Sequence, residues 1–393
     1  MYNLIKELHT LGCEIDLVVG PPYPDPLDQW ATVHKIENLN MWAIRTEDIP
    51  LENLQRIYSP WNFIDYLMTR FHFFTEMETY SMRTFFYLRK LLKTKSFDII
   101  HDVQSLGWGY LPMKGYGIPM VTTVHHPLTR DRDADLAMDK TFWDKFCTLA
   151  FYPLNMQRYV IKKMDRVITS FKEGVDELNN AFGLKKEKAS VVYNGMDVKM
   201  FQNTGEKRQK NSLLFVGNTE DHKKGLTYLL EALSLLPKEI TLTIVDDGPP
   251  NKLTASQQIA HFNMEDRVHF TGKVSHERLV SLYSTCTILV MSSLYEGFGL
   301  PAAEAMACKT PVVATTAGAL KEIIPPQCGI TVEPRNPVAL KDAVIELLKD
   351  DVRRQRMGNE GRKWTVSNYA WPVAAKNTYD VYKDVIEEYR SRK

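Results

Sequence analysis

Short apolar runs closed by polar residues alternate along this chain with longer segments of helical periodicity. At the start, "MYNLIKELHTLG" puts Leu4, Ile5, Leu8 and Leu11 on one helical stripe, with Gly12 as the stop. "CEIDLVVG" then reads as a strand. "FDIIHDVQ", "IPMVTTVH" and "DRVITSF" have the form of buried parallel strands, separated by helical stretches at about 60–94, 140–163 and 171–183. A polar segment, "NTGEKRQKNS" (203–212), has no apolar period and reads as an inter-domain linker or its flank. A second alternation begins at residue 213, with strands "LLFVGN", "ITLTIVDDG", "RVHFTGK", "TILVMSS", "TPVVATT" and "GITVEP". Helices lie between them at 225–236, 252–263, 275–285, 301–308, 318–324 and 337–350. This pattern predicts a doubly wound α/β sheet, with ligands bound beyond the carboxyl ends of its strands. A last helix runs from Trp371, at the Pro372 break.

At 393 residues the chain is longer than one core usually spans, so two domains are expected. Lys and Arg number 49 against 48 Asp and Glu, which leaves no basic field to collect nucleic acid. Cys13, Cys147, Cys286, Cys308 and Cys328 are scattered and show no Cys-x-x-Cys spacing, which points to a reducing cytosol and no zinc cluster. No apolar run of about 18 residues predicts a membrane span, and no signal peptide is read. The expected location is cytoplasmic.

The candidate chemistry sits in "EGFGLPAAEAMA" (296–307), where Glu296 and Glu304 stand eight positions apart among glycine, proline and apolar residues. "TILVMSS" places Glu296 in a loop above a strand end. Pro301 then suits the first position of a helix that carries Glu304 on its first turn. Gly297 and Gly299 let the backbone come close to a ligand. Free N–H groups at the helix start favour an anion such as phosphate. Carboxylates that accept from hydroxyls, with N–H groups for phosphate between them, suit a sugar nucleotide.

"SSLYEGFGLPAAEAMACKTPVVATTAGALKEII" resembles the donor-binding core of glycosyltransferase family 4, whose signature is this glutamate pair. The likeness extends over "VVYNGMD" (191–197), "LLFVGN…KKGLTYLLEAL", "LTIVDDGP", "VHFTGKVSHERLVSLYSTCTILVMSS" and "GITVEPRNPVALKDAV". It implies the GT-B fold, two doubly wound Rossmann-like domains facing each other across a cleft. Residues 1–196 would be the acceptor-side domain and 197–370 the donor-binding domain, with 371–393 a helix crossing back to the first. The family begins with a strand and a glycine-rich turn ahead of the helix at residue 1, so the first domain is expected to lack its first strand.

The resemblance also implies roles. Glu304 would accept from the ribose hydroxyls, and Glu296 would hold the transferred sugar. The backbone at Gly297, Phe298, Gly299 and Leu300 would meet the sugar and distal phosphate. Lys224 would sit on the diphosphate, and Lys273 and Val274 would approach the base. Asn218 stands where the family usually has an arginine, which weakens the expected clamp on the diphosphate. Asp246 and Lys309 replace common glycines. His125, at a strand end, matches a family histidine on the donor-sugar side of the reaction centre. His126 and His101 are weaker acceptor-side candidates, each with a structural alternative.

"DRDAD" (131–135) imitates a metal-binding Asp-x-Asp, but Leu136 and Phe142 stand where a calcium loop needs Gly and Glu. It reads as a polar loop, and no metal ligand is assigned. Aromatic helices at 60–94 and 142–163 suit core packing, with a peripheral membrane contact as the alternative. The expected activity is a retaining transfer from a nucleoside diphosphate sugar to a hydroxyl of a glycan, lipid-linked or small-molecule acceptor. It needs no cofactor or metal. A non-catalytic or degenerate sugar-nucleotide binder and a GT-B epimerase are the rivals.

Overall fold

The computed structural model describes residues 2–23, 27–38, 59–71, 73, 75–246 and 253–392. It divides into two compact units: Met1–Ser170 with Gly174–Val192 and Ala375–Lys393, and Phe171–Glu173 with Tyr193–Ala374.

Unit one opens on the helix Tyr2–Thr10, which buries Ile5 and Leu8. The chain turns away at Gly12, whose φ of 89° suits a residue without Cβ. Its described strands form two parallel sheets. β1 (Asp16–Val19) pairs with β2 (Thr32–Lys35). β3 (Ile100–Val103), β4 (Met120–Thr123), β5 (Arg166–Thr169) and β6 (Ala189–Val191) follow in sequence order. Among the described residues β1 and β3 do not pair. Instead the helix Glu76–Leu91 and its flank grip the first sheet through side chains. Tyr80 donates to the Val18 carbonyl at 2.7 Å, Tyr87 Oη meets His34 Nδ1 at 2.8 Å, and Lys95 reaches Asp16 at 2.5 Å. The core under β4 and β5 gathers Met120, Val160, Ile161, Val167 and Phe182. On the other face, Val381 and Val385 of the helix Trp371–Ser391 pack on Val121 and Ile168.

The "DRDAD" run is not a loop but part of the helix Thr129–Met138, which buries none of its residues. A helix polar all round leaves no apolar stripe for a periodicity reading to find.

The described strands of unit two form one six-stranded parallel sheet in the order β12-β11-β10-β7-β8-β9. β7 is Ser212–Val216, β8 Thr241–Val245, β9 Val268–Phe270, β10 Ile288–Met291, β11 Val312–Thr315 and β12 Gly329–Val332. From β7 the sheet grows outward through β8 and β9, then returns to β10 on the opposite side. β7 and β10 are therefore the switch point at which the loops beyond the strand ends part and leave a crevice. Every residue of β10 and β11 is buried, as their unbroken apolar sequence requires.

The polar segment 203–212 is no free linker. Arg208 donates to the carbonyls of Cys286 and Lys309 at 2.5 and 2.7 Å and to Thr310 Oγ1 at 2.9 Å, which ties the segment into unit two. Among the described residues no helix is long and apolar enough to cross a membrane.

Candidate functional site

The loops after β7 and β10 meet backbone to backbone. Gly225, at φ 60°, lies so close to Ser292 that an added Cβ would stand 2.2 Å from its carbonyl oxygen. The Leu294 N–H donates to the Lys223 carbonyl at 2.6 Å, and Ser292 Oγ donates to the Lys224 carbonyl at 3.1 Å. This stitching sets Lys224 Nζ 2.6 Å from Glu296 Oε1, which also accepts from Ser293 Oγ at 3.1 Å. Glu296 is buried, and both of these bonds fall on one of its oxygens.

A third loop closes on the same residue. The Ala319 N–H donates to the Glu296 carbonyl at 2.9 Å. Gly318, at φ 56°, has room for no Cβ, which would lie 2.2 Å from that carbonyl oxygen. The helix Leu300–Ala307 starts one residue earlier than the sequence suggests, with Gly299 as its cap. Pro301 therefore takes the second position, and Glu304 falls in the second turn rather than the first. Phe298 turns its side chain into the core against Tyr369, with ring centroids 5.4 Å apart, so only its backbone is left for a ligand. Leu300 is exposed.

Glu304 accepts from the Tyr283 hydroxyl at 2.7 Å. Burial raises its carboxyl pKa, while the Tyr283 bond and nearby His276 pull the other way. Tyr283 is fully buried and was not found by sequence reasoning, because an aromatic in "SLYSTC" reads as ordinary core. Asp246, noted only as a replaced glycine, organises the loop after β7. It accepts from the Thr219 N–H at 3.0 Å and from Thr219 Oγ1 at 2.5 Å. Next to it, Asn218 is exposed and spends its Oδ1 on the Glu220 N–H at 2.9 Å. Lys273 is exposed in the loop after β9, and Val274 packs partly on the core.

The histidines belong to unit one. His125 follows β4, half-buried, with its N–H donating to Gln104 Oε1 at 2.9 Å. His126 Nε2 meets Asp131 Oδ2 at 2.7 Å, which gives one aspartate of the "DRDAD" run an ordinary structural partner. Both ring nitrogens of His101 are engaged, Nδ1 with Tyr382 Oη at 2.5 Å and Nε2 with Thr123 Oγ1 at 2.8 Å. Among the described residues no three His, Cys, Asp or Glu side chains gather as a metal site would need.

Residues 1–199 match the family model described as Glycosyltransferase Family 4, and residues 197–364 match that of Glycosyl transferases group 1. The chain belongs to glycosyltransferase family 4. This family 4 enzyme is 32% identical over 390 residues to the MMP α-(1→4)-mannosyltransferase of Mycolicibacterium hassiacum, covering 98% of this chain and 93% of that one. It is 28% identical over 307 residues to the D-inositol 3-phosphate glycosyltransferase of Xylanimonas cellulosilytica, covering 73% and 72% of the two chains. Among solved structures it is similar to sucrose-phosphate synthase from Thermosynechococcus elongatus, with a TM-score of 0.71 at 21% identity over 98% of this chain and 92% of that one. It is also similar to Anabaena HepE in complex with UDP and glucose, with a TM-score of 0.70 at 16% identity over 98% and 96%. The fold of this glycosyltransferase is GT-B, built from two Rossmann-like domains.

Proposed function

We propose that this glycosyltransferase moves a hexosyl group from a nucleoside diphosphate sugar to a carbohydrate hydroxyl with retention of anomeric configuration, and that it needs no metal ion. The observation that carries the reading is the Lys224–Glu296 pair at the switch point of unit two, with Glu304 half-buried on the adjoining helix. Glu304 accepts from ribose hydroxyls, and Glu296 accepts from hydroxyls of the sugar. The bond from the anomeric carbon to the phosphate oxygen breaks, and negative charge grows on the leaving diphosphate. Lys224 and the N–H groups of the 297–299 loop stabilise that charge. The acceptor oxygen bonds to the same face of the anomeric carbon, and its proton passes to the leaving phosphate. The likeness to a mannosyltransferase makes a mannosyl donor the first to try. The same proposal keeps the protein in the cytoplasm. Any membrane contact would fall on the helix Phe142–Phe151, where Phe142, Trp143, Phe146 and Leu149 are exposed.

The full chain is to be incubated with GDP-mannose, UDP-glucose and an oligosaccharide acceptor, with and without EDTA, and the product linkage read by NMR. An α-linked product from an α-linked donor, formed equally well in EDTA, is expected. An inverted product overturns retention. Loss of turnover in EDTA that magnesium restores overturns metal independence. Co-sedimentation with anionic vesicles tests the membrane contact, and a protein that stays in the supernatant removes it.

A further inference from the structure

At the other end of the unit two sheet, where β7, β10 and β11 begin, lies a cavity of about 690 Å³. It is lined by Asn203 and residues 207–211, by Thr287, Lys309 and Pro311 at the strand entries, and by the junction of the helices Pro337–Leu348 and Asp351–Tyr369. A parallel strand rises about 3.3 Å per residue, so strands of four or five residues set this cavity on the order of 15 Å from the donor loops.

Its lining carries Lys207, Arg208, Lys210, Lys309 and Arg354 against a single acid, Asp351. Asp351 is already spent in an ion pair with Arg354. Arg354 also donates to the Leu347 carbonyl, and Arg208 is fixed on the two carbonyls and the threonine described above. Carbonyls and a hydroxyl hold the Arg208 guanidinium in place without neutralising it, whereas Asp351 compensates Arg354. Burial lowers the pKa of both arginines, and Arg208 adds its repulsion to Arg354. Lys207, Lys210 and Lys309 are exposed, and no described residue forms an ion pair with them. Surface lysines alone are ordinarily just solvated. Here they rim a cavity whose two guanidinium groups are rigid and whose only carboxylate is taken. The rest of the lining is rich in amides, Asn211 and Gln355 among them, which suit hydroxyls in both directions of hydrogen bonding.

We propose that this cavity binds a phosphorylated carbohydrate, with its phosphate among the cations and its hydroxyls on the amides. The site is separate from the donor pocket and does not depend on the reading of that pocket.

Titration calorimetry of the full chain with glucose 6-phosphate, inorganic phosphate and glucose tests it, using wild type, the triple variant K207Q/K210Q/K309Q and, as donor-pocket control, Lys224→Gln. Glucose 6-phosphate is expected to bind saturably to wild type and to Lys224→Gln, and about tenfold more weakly to the triple variant. Glucose should not bind. In wild type, glucose 6-phosphate should also shield Lys207, Lys210 and Lys309 from amine acetylation, a readout that needs no variant. Equal affinity in the triple variant, loss confined to Lys224→Gln, or no saturable binding overturns the proposal. Inorganic phosphate binding as tightly as glucose 6-phosphate overturns its carbohydrate part.

Discussion

Lys224 and Glu296 stand 72 positions apart in the chain and meet at 2.6 Å between Nζ and Oε1. The pair is asymmetric, because the carboxylate is 9% exposed and the lysine 24%. Lys224→Ala strands a buried charge, whereas Glu296→Gln leaves an ammonium that water can reach. The lysine variant should therefore lose more stability, about 1–3 kcal/mol, than the glutamine variant. Urea unfolding of both checks the order. Transfer by Lys224→Ala should fall about 100-fold or more, as for loss of one group that stabilises developing charge.

Glu304 and Tyr283 make a second test. If the carboxylate takes ribose hydroxyls, Glu304→Ala should weaken nucleoside diphosphate binding by about 1–3 kcal/mol in calorimetry. Tyr283→Phe removes a bond that favours the ionised carboxylate. The pH at which nucleotide affinity sets in should move upward in that variant. A profile unchanged by Tyr283→Phe would separate the tyrosine from the site.

Removal of its ring from water pushes the His101 imidazole pKa down to about 4 from the usual 6.5, with His125 adding to the effect and Asp102 opposing it. The unfolded chain takes up this proton near pH 6.5 and the folded one does not. Stability present at pH 7 is therefore lost as pH falls from about 6.5 toward 4, by up to ~3 kcal/mol. Denaturation midpoints of unit one between pH 7 and 5 should show the slope. His101→Gln should start lower and run flatter.

Gly225→Ala and Gly318→Ala each drive a methyl group to 2.2 Å from a backbone carbonyl, at positive φ. Each should cost about 2 kcal/mol or more. Gly115, where an added Cβ would meet no atom within 4 Å, is the control. Thermal melts of Gly115→Ala should match wild type while the other two fall.

The central strands β10 and β11 of unit two could be read from sequence because each is a run buried on both faces between polar stops. The glutamate pair stood out because its neighbours offer no other reason for charge. β2, half-exposed and four residues long, carries no such contrast, nor does the helix containing "DRDAD". What holds the site was hidden for a different reason. Tyr283 on Glu304 and Asp246 on Thr219 are contacts between residues distant in the chain, made by side chains that have ordinary alternative uses. Composition and spacing register a residue's type, not which of those uses the fold selects.

The two-piece sheet of unit one bears on how that unit opens. The β1–β2 pair is joined to the helix beside it by Tyr80 and Tyr87 and to that helix's flank by Lys95, and no described strand continues its ladder to β3. Among the described residues it can part from the β3–β6 sheet without breaking one strand-to-strand hydrogen bond. In hydrogen–deuterium exchange its amides should lose protection together as one small cooperative unit, while those of β4 and β5 stay slow.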